Sequence, residues 1–202
     1  MTGTVLIVGA SGLVGTAAAI EFSDAGWTVI TASRREPELL HGLGLRHVKL
    51  DLSDPRACEA AAASLNEVTH VVYTAVFELP GLVAGWSDPV QIETNGQMLR
   101  NLLEPLRRSA KLRHVSVLQG TKAYGITVGS IRVPAREDQP RVEHPNFYWL
   151  QEDYIRATAA SDGFDFTILR PQLIVGPNHG VVMNPVPVIG IYAAIQRELG
   201  RP

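Results

Sequence analysis

Cysteine is almost absent from this chain of 202 residues, in which Cys58 is the only one. A single cysteine excludes an internal disulfide, and with it the covalent framework of many small secreted proteins. The chain is long enough to bury a hydrophobic core without such cross-links. We therefore expect one domain over residues 1–202, in the reducing environment of the cytoplasm.

An excess of charge of either sign is also lacking. The 18 basic and 20 acidic side chains leave a net charge of −2, which gives no electrostatic reason to bind nucleic acid or an anionic membrane. The longest apolar stretch beyond the N-terminal region, 181–195, is broken by Asn184, Pro185 and Pro187 and is not expected to span a bilayer. Neither a nucleic acid nor a membrane is therefore expected as a partner.

Patterns typical of metal or nucleophile chemistry are missing as well. His144 and His179 have no metal-ligand pattern nearby, so we interpret them as loop histidines and expect no metal. The chain has neither a serine-centred nucleophile elbow nor an array of cysteine and histidine.

Glycine, in contrast, forms a pattern near the N-terminus. The apolar run Val5–Val8 leads directly into glycines at positions 9, 12 and 15, and residues 13–22 are small and apolar, as in a buried helix. Strand, glycine-rich turn and helix in this order are typical of the first unit of a dinucleotide-binding fold, whose helix N-terminus receives the pyrophosphate. The predicted nucleotide contacts are Gly9, Ser11, Gly12, Leu13, Val14 and Gly15. The alternative is a tight turn that binds no ligand.

Further apolar runs continue the alternation of strand and helix. We predict strands at 28–32, 47–50, 69–73, 114–118 and 166–169, and helices at 56–65, 88–108, 147–161 and 188–199. Strict alternation requires parallel strands with helices on both sides of the sheet. The predicted fold class is therefore α/β, a doubly wound parallel sheet of the Rossmann type with helices on both faces.

The end of the predicted second strand bears on the choice of nucleotide. In this fold an acidic residue there favours NAD, and an arginine favours the 2′-phosphate of NADP. Here the strand ends in Ser33, Arg34 and Arg35, whose guanidinium groups suit a phosphate. The sequence therefore predicts NADP(H) as the cofactor, and the alternative is a pair of solvated charges.

Two other strand ends supply predicted nucleotide contacts. We expect Asp51 and Leu52 beside the adenine ring, and Thr74, Ala75 and Val76 beside the ribose and nicotinamide. The loop 77–87 carries four large apolar residues, Phe77, Leu79, Leu82 and Trp86. They either form the wall of a substrate pocket or cover the sheet, and the sequence leaves both interpretations open.

Lys122 and Tyr148 are the candidate catalytic residues. Lys122, one of three lysines against fifteen arginines, lies in the loop after the fifth strand. Tyr148 begins the next helix, where reductases of this fold place a tyrosine that faces the substrate carbonyl and the nicotinamide. These enzymes commonly have a lysine four residues later on the same helix face, but this chain has Glu152 there. The alternatives are an aromatic anchor for Tyr148 and a solvated loop lysine for Lys122.

Two segments of the chain carry a family resemblance. Leu-Gln-Gly-Thr-Lys-Ala-Tyr-Gly at 118–125 and Asn-Phe-Tyr-Trp-Leu-Gln-Glu-Asp at 146–153 resemble motifs of the progesterone 5β-reductase and iridoid synthase-like family of short-chain dehydrogenases. That family is atypical because its catalytic lysine comes from the loop after the fifth strand. The likeness extends over essentially the whole chain, with Trp149 where plant members tend to have a second tyrosine.

The resemblance implies conjugate reduction of an enone by NADPH. It makes Tyr148 the catalytic tyrosine, which hydrogen-bonds the carbonyl oxygen, and Lys122 the catalytic lysine, which lowers the pKa of Tyr148 and stabilises the enolate. It also places Leu118, Gln119, Pro171, Leu173 and Ile174, together with Lys122 and Tyr148, beside the cofactor. The implied substrate is a small molecule, and a homodimer is one assembly open to the chain.

Two other functions stay open at this point. Members of the family continue into a C-terminal substrate-binding part beyond the point where this chain stops, which favours a nucleotide-binding sensor or regulatory module without turnover. A nucleotide-sugar epimerase or dehydratase is the other alternative, although such enzymes generally retain the pair Tyr-x-x-x-Lys.

Overall fold

The protein folds around one parallel sheet. The computed structural model describes residues 3–81, 84–177 and 184–201, which leaves Leu82 and His179 outside the described residues. The strands are β1 Thr4–Val8, β2 Thr28–Ser33, β3 Arg46–Lys49, β4 His70–Tyr73, β5 His114–Leu118 and β6 Asp165–Leu169. They are hydrogen-bonded in the order β3-β2-β1-β4-β5-β6, and each neighbouring pair is parallel. The order reverses at β1, which confirms the predicted doubly wound sheet.

Among the described residues, five α-helices connect or follow the strands. They are α1 Leu13–Asp24, α2 Pro55–Ala62, α3 Pro89–Ser109, α4 Phe147–Asp162 and α5 Pro185–Glu198. Asp54 and Asp88 begin α2 and α3 by accepting hydrogen bonds from backbone N–H groups of the first turn, and a proline follows each cap. Three short 3₁₀ helices, Glu38–Leu40, Ala84–Ser87 and Thr121–Tyr124, were not predicted from the sequence.

The strand side chains build a hydrophobic core on each face of the sheet. In β1 the alternate residues Leu6 and Val8 belong to one buried cluster, which also contains side chains of α2, α3 and α4. Val5 and Ile7 point to the other face and pack with Ala19 of α1. These four side chains of β1 are buried because both faces of the strand are covered, as in other parallel sheets.

Helix α5 differs from the other helices in its surroundings. None of its described residues is buried, although it carries several large apolar side chains. It begins at Pro185 and not near residue 188 as predicted, because the Asn184 side chain accepts a hydrogen bond from the Val186 N–H and Pro185 suits the first helical position. Over the described part of the chain, no helix combines the length and the apolar character needed to cross a membrane.

Candidate functional site

The turn between β1 and α1 has the geometry of a phosphate-binding turn. Gly9 adopts φ +83° and donates its N–H to the carbonyl of Ala32 at 2.9 Å. A Cβ at Gly15 would lie 2.8 Å from the Cα of Ala10, so α1 packs against the turn more closely than a side chain would allow. Gly12 begins α1, and no described side chain caps this helix end. The N-terminal N–H groups and the positive dipole end of α1 are therefore suited to an anion.

A cavity of about 370 Å³ lies at the carboxyl ends of β1 to β4. Ten of the predicted nucleotide contacts line it: Gly9, Ser11, Gly12, Ser33, Arg34, Asp51, Leu52, Thr74, Ala75 and Val76. Five further residues complete the lining: Ala32, Leu50, Ser53, Phe77 and Met98. The cavity joins the glycine turn to the ends of the strands that were expected to hold the adenosine half of a dinucleotide.

Arg34 and Arg35 occupy different surroundings at the end of β2. Arg34 lines the cavity, and Arg35 is not among the lining residues. The Ser33 hydroxyl donates to the Arg35 carbonyl at 2.6 Å, which fixes the backbone at this point. Asp51 also lines the cavity. Hydrogen bonds from the Ser53 hydroxyl and N–H lower the pKa of Asp51 against the effect of burial, and the charge of Arg34 lowers it further. The cavity lining therefore contains one cation and one carboxylate.

The segment after β4 is fixed by two buried amide side chains of α3. Asn95 accepts a hydrogen bond from the Phe77 N–H and donates to the Phe77 carbonyl, both at 2.8 Å. Gln91 accepts from the Leu79 N–H at 2.8 Å. Asn95 and Gln91 were not predicted as site residues, because their positions within a helical pattern do not reveal which loop they face. They hold the first residues of the loop 77–87, of which Phe77 lines the cavity.

Lys122 and Tyr148 meet at the ring of Trp86. The Lys122 Nζ lies 3.7 Å from the centroid of the Trp86 ring, and the Tyr148 ring centroid lies 5.6 Å from it. Phe147 stacks on Trp86 at 4.9 Å. Trp86 therefore packs against both candidate catalytic residues, and its role as the wall of a substrate pocket stays a prediction.

Asn146 connects the two candidate catalytic segments. Its side-chain oxygen accepts a hydrogen bond from the Tyr148 N–H at 3.0 Å, and its amide group donates to the Lys122 carbonyl at 3.2 Å. A second, smaller cavity of about 50 Å³ lies beside Lys122. Its lining comprises Trp86, Ser87, Lys122, Thr127, Val128, His144, Pro145 and Asn146.

The electrostatics of Tyr148 differ from the expectation. Burial raises the pKa of the Tyr148 hydroxyl above its usual value, and the nearby charge of Glu78 acts in the same direction. Burial lowers the pKa of Lys122, and Glu78 opposes that effect. Among the described residues the Lys122 ammonium is held over Trp86 and makes no hydrogen bond with the Tyr148 hydroxyl. The pKa of the Tyr148 hydroxyl is thus raised, whereas the resemblance implied that Lys122 lowers it, and this hydroxyl keeps its proton at pH 7.

Gln119 and Pro171, two of the other predicted nicotinamide-side residues, lie next to Tyr148. A Cβ at Gly120 would lie 3.3 Å from the Tyr148 hydroxyl oxygen and 3.5 Å from the Pro171 carbonyl, so the ends of β5 and β6 meet beside Tyr148. A Cβ at Gly176 would lie 2.7 Å from a methyl group of Leu13, which brings the segment after β6 to the start of α1. The predicted contacts that do not line the 370 Å³ cavity are Leu13, Val14, Gly15, Arg35, Leu118, Gln119, Lys122, Tyr148, Pro171, Leu173 and Ile174.

Glu152 is the centre of a cluster of ion pairs. Its buried carboxylate contacts Arg170 at 2.6 Å, Arg156 at 2.9 Å and Arg141 at 3.3 Å. Burial by itself would raise the pKa of Glu152, but the hydrogen bonds and charges of these arginines outweigh it, and the pKa lies below its usual value. A lysine at this position would meet three guanidinium groups, so these surroundings fit a carboxylate and not the common lysine. No group of three or more potential metal-ligating side chains occurs among residues 3–81, 84–177 and 184–201.

Comparison with known proteins places this geometry in a family. The chain is 29% identical over 212 residues to (S)-8-oxocitronellyl enol synthase of Antirrhinum majus, which covers 98% of the chain and 52% of that protein. It is 31% identical over 210 residues to 3-oxo-Delta(4,5)-steroid 5-beta-reductase of Arabidopsis thaliana, with 98% and 53% coverage. These relatives confirm the resemblance carried by the two sequence motifs. The chain spans about half the length of the curated relatives it matches.

Solved structures show the same fold. UDP-glucose 4-epimerase of Thermus thermophilus in complex with NAD superposes with a TM-score of 0.73 at 22% identity, covering 94% of this chain and 61% of that one. A short-chain dehydrogenase/reductase superfamily protein of Agrobacterium tumefaciens with bound NAD gives 0.65 at 22% identity, covering 83% and 48%. The sequence profile described as "NAD dependent epimerase/dehydratase family" matches residues 5–191. The chain therefore belongs to the NAD dependent epimerase/dehydratase family.

Proposed function

We propose that this chain is the nucleotide-binding part of an NADPH-dependent reductase that transfers a hydride to an enone or another activated carbonyl compound. The observation that carries the proposal is the convergence of Lys122 and Tyr148, from separate segments, on the ring of Trp86. The loop with Trp86 continues from residues 74–77, which line the 370 Å³ cavity. A nucleotide in this cavity and a carbonyl compound at Tyr148 would thus be neighbours.

The residues of the cavity fit a dinucleotide phosphate. The N-terminus of α1 and the close approach permitted by Gly12 suit the pyrophosphate, and Arg34 in the cavity lining suits a 2′-phosphate. When bound, a reduced nicotinamide supplies the hydride. Selection of NADP(H) over NAD(H) is part of our proposal and rests on Arg34.

Tyr148 and Lys122 have distinct tasks in conjugate reduction. Negative charge builds on the carbonyl oxygen as the enolate forms, and the protonated Tyr148 hydroxyl donates a hydrogen bond to that oxygen. The Lys122 ammonium contributes positive charge to the same aromatic-walled region, where the low exposure to water strengthens its field. A donor of this kind contributes roughly 3 to 4 kcal/mol to a developing oxyanion.

The substrate we propose is a small carbonyl compound. The names of the two plant relatives, an oxocitronellyl enol synthase and an oxo-steroid reductase, support this chemical class. Glu152 argues against the epimerase alternative, because it occupies the lysine position of the Tyr-x-x-x-Lys pair and binds three arginines. The cytoplasm is the compartment we propose, since Cys58 is the single cysteine and is buried.

A nucleotide-binding module without turnover is the second candidate function. It is favoured by one observation, the position of the Lys122 ammonium over Trp86 without a hydrogen bond to the Tyr148 hydroxyl, among the described residues. Such a module would bind NADPH and leave enones unreduced.

Turnover with variants of the two candidate residues tests the proposal. NADPH consumption is measured with cyclic and acyclic enones for the wild type, Tyr148→Phe and Lys122→Ala. We expect Tyr148→Phe to lower kcat by two to three orders of magnitude, on the order expected for loss of one oxyanion donor. NADPH-induced stabilisation should persist in that variant. Wild-type turnover should fall as pH rises through the lowered pKa of Lys122, because the ammonium loses its charge.

Two matched controls accompany these variants. Lys111→Ala removes an exposed lysine that does not line either cavity, and Tyr192→Phe removes the hydroxyl of an exposed tyrosine on α5. Both should retain wild-type rates. Unchanged rates in Tyr148→Phe and Lys122→Ala would contradict the catalytic assignment, and binding of NADPH without any turnover would establish the second candidate.

A further inference from the structure

A continuous path of hydrogen bonds joins Glu152 to the backbone of Tyr148. Arg170 donates to the Glu152 carboxylate at 2.6 Å and, through its Nε, to the Gln119 side-chain oxygen at 3.1 Å. Gln119 in turn donates its amide group to the Tyr148 carbonyl at 3.0 Å. The three side chains of this path are largely shielded from water, with Glu152 at 5% and Arg170 at 15% side-chain exposure and Gln119 buried.

The direction of the path is fixed by the chemistry of its members. A guanidinium can only donate and a carboxylate can only accept hydrogen bonds, so Gln119 has to present its oxygen to Arg170 and its NH₂ to Tyr148. Arg170 therefore determines how Gln119 is oriented, and the charge on Glu152 holds Arg170 in place. Without that charge, Arg170 would keep its donors but lose the ionic partner that fixes its position.

The path ends at the residue whose orientation matters for the proposed reaction. The Tyr148 carbonyl is held by Gln119, and the Tyr148 N–H is held by the Asn146 side chain at 3.0 Å. The Tyr148 ring packs against Phe147 at 4.6 Å and Trp86 at 5.6 Å between centroids. Both backbone groups and the ring are thus fixed, and the hydroxyl is directed toward Gly120, the neighbour of Gln119.

We propose that Glu152 is a positioning residue for the Tyr148 hydroxyl, acting through Arg170 and Gln119. The expected effect of Glu152 on turnover rests on the proposed reductase function. The effect of Glu152 on the placement of the Tyr148 hydroxyl does not depend on that function. Glu152 also connects segments that are distant in the sequence. It pairs with Arg141, which precedes α4, and with Arg170, which follows α4. The position four residues after Tyr148 thus carries a carboxylate that orients the tyrosine. The positive charge that a lysine supplies at this position in the common Tyr-x-x-x-Lys pair comes instead from Lys122.

The first experiment compares two neighbouring carboxylates of α4. Glu152→Gln removes the charge at the centre of the path, and Asp153→Asn removes a carboxylate with 62% side-chain exposure that pairs with Arg141. We expect Glu152→Gln to lower kcat about tenfold, because misplacing a reacting group by a fraction of an ångström has effects of that size. The KM for NADPH should stay within about twofold, and Asp153→Asn should resemble the wild type.

A double-mutant cycle separates positioning from general stability. In the Tyr148→Phe background there is no hydroxyl to position, so Glu152→Gln should lower the remaining kcat by less than about twofold. A residue that only stabilises the fold would cost the same factor in both backgrounds. Equal losses would overturn the proposal.

A spectroscopic readout does not depend on turnover. With 3-fluorotyrosine incorporated at position 148, the ¹⁹F resonance should move or broaden in Glu152→Gln and stay unchanged in Asp153→Asn, with folding checked by circular dichroism. An unchanged resonance in a folded Glu152→Gln protein would overturn the proposal. If the wild type reduces no enone, the reductase function fails while the ¹⁹F comparison still decides whether Glu152 positions the hydroxyl.

Discussion

Arg34 and Arg35 are adjacent in the sequence, but only Arg34 lines the cavity assigned to the nucleotide. We predict that Arg34→Ala weakens NADPH binding about ten- to a hundredfold, since a hydrogen bond to a charged group contributes about 1.5 to 3 kcal/mol. NADH has no 2′-phosphate, and its affinity should change by less than about twofold. Isothermal titration of both nucleotides measures the two effects.

Arg35→Ala is the matched control for this prediction. It removes the same charge one residue further along and should change the NADPH affinity by less than about threefold, because Arg35 does not line the cavity. Equal losses in the two variants would show that overall charge, and not a specific contact of Arg34, selects the nucleotide. Equal affinity of the wild type for NADPH and NADH would contradict the NADP(H) proposal altogether.

Single residues differ in how far the sequence predicts their surroundings. Gly9 and Gly15 were predictable because the turn and the close packing each require the absence of a side chain. The cluster of ion pairs around Glu152 was not predictable, because its arginines lie at positions 141, 156 and 170 and meet only in the folded chain. The contact of Lys122 with Trp86 was hidden for the same reason, because loop residues have no periodicity that indicates their partners.

Helix α1 and strand β1 form the element pair on which the nucleotide site depends. We predict that Gly15→Ala destabilises the protein by about 1 to 3 kcal/mol, because the new methyl group would overlap the backbone of Gly9 and Ala10. Since α1 has to move away from the turn, NADPH affinity should fall as well. Urea unfolding measures the stability, and titration of the folded variant measures the affinity.

Gly190→Ala is the control for a glycine within a helix. A Cβ at Gly190 would meet no described atom within 4 Å, so the substitution should stabilise α5 by up to about 1 kcal/mol through helix propensity alone. NADPH affinity should be unchanged. If Gly15→Ala were tolerated as well as Gly190→Ala, the close approach of α1 to the turn would not be needed for the site.

The elements themselves were largely predictable, and the exceptions have physical reasons. In the described part of the chain, the six strands and α1 to α4 overlap the predicted segments, and α5 begins three residues before its predicted start. The strands were predictable because a parallel strand buried on both faces leaves a strong signal in the sequence. The 3₁₀ helices Ala84–Ser87 and Thr121–Tyr124 were missed because one turn is too short to produce a periodic pattern. They carry Trp86 and Lys122, so the site was less predictable than the sheet that supports it.

Over the molecule as a whole, the core and α5 contribute differently to stability. Leu103 of α3 is fully buried in the larger hydrophobic cluster, whereas Ile191 of α5 is 62% exposed. We predict that Leu103→Ala lowers the free energy of unfolding by about 2 to 5 kcal/mol. Ile191→Ala should change it by no more than about 0.5 kcal/mol, since its side chain is already in contact with water. Urea denaturation of the chain measures both values.

The same pair of variants tests whether α5 is exposed in solution. If Ile191→Ala destabilised the protein as much as a core substitution, the apolar residues of α5 would have to pack against another surface in solution. That result would contradict their exposure in the structure. A dependence of that loss on protein concentration would identify a second copy of the chain as the covering surface. A small effect at every concentration would show that the sheet with α1 to α4 provides the stability, and with it the rigidity of the nucleotide site.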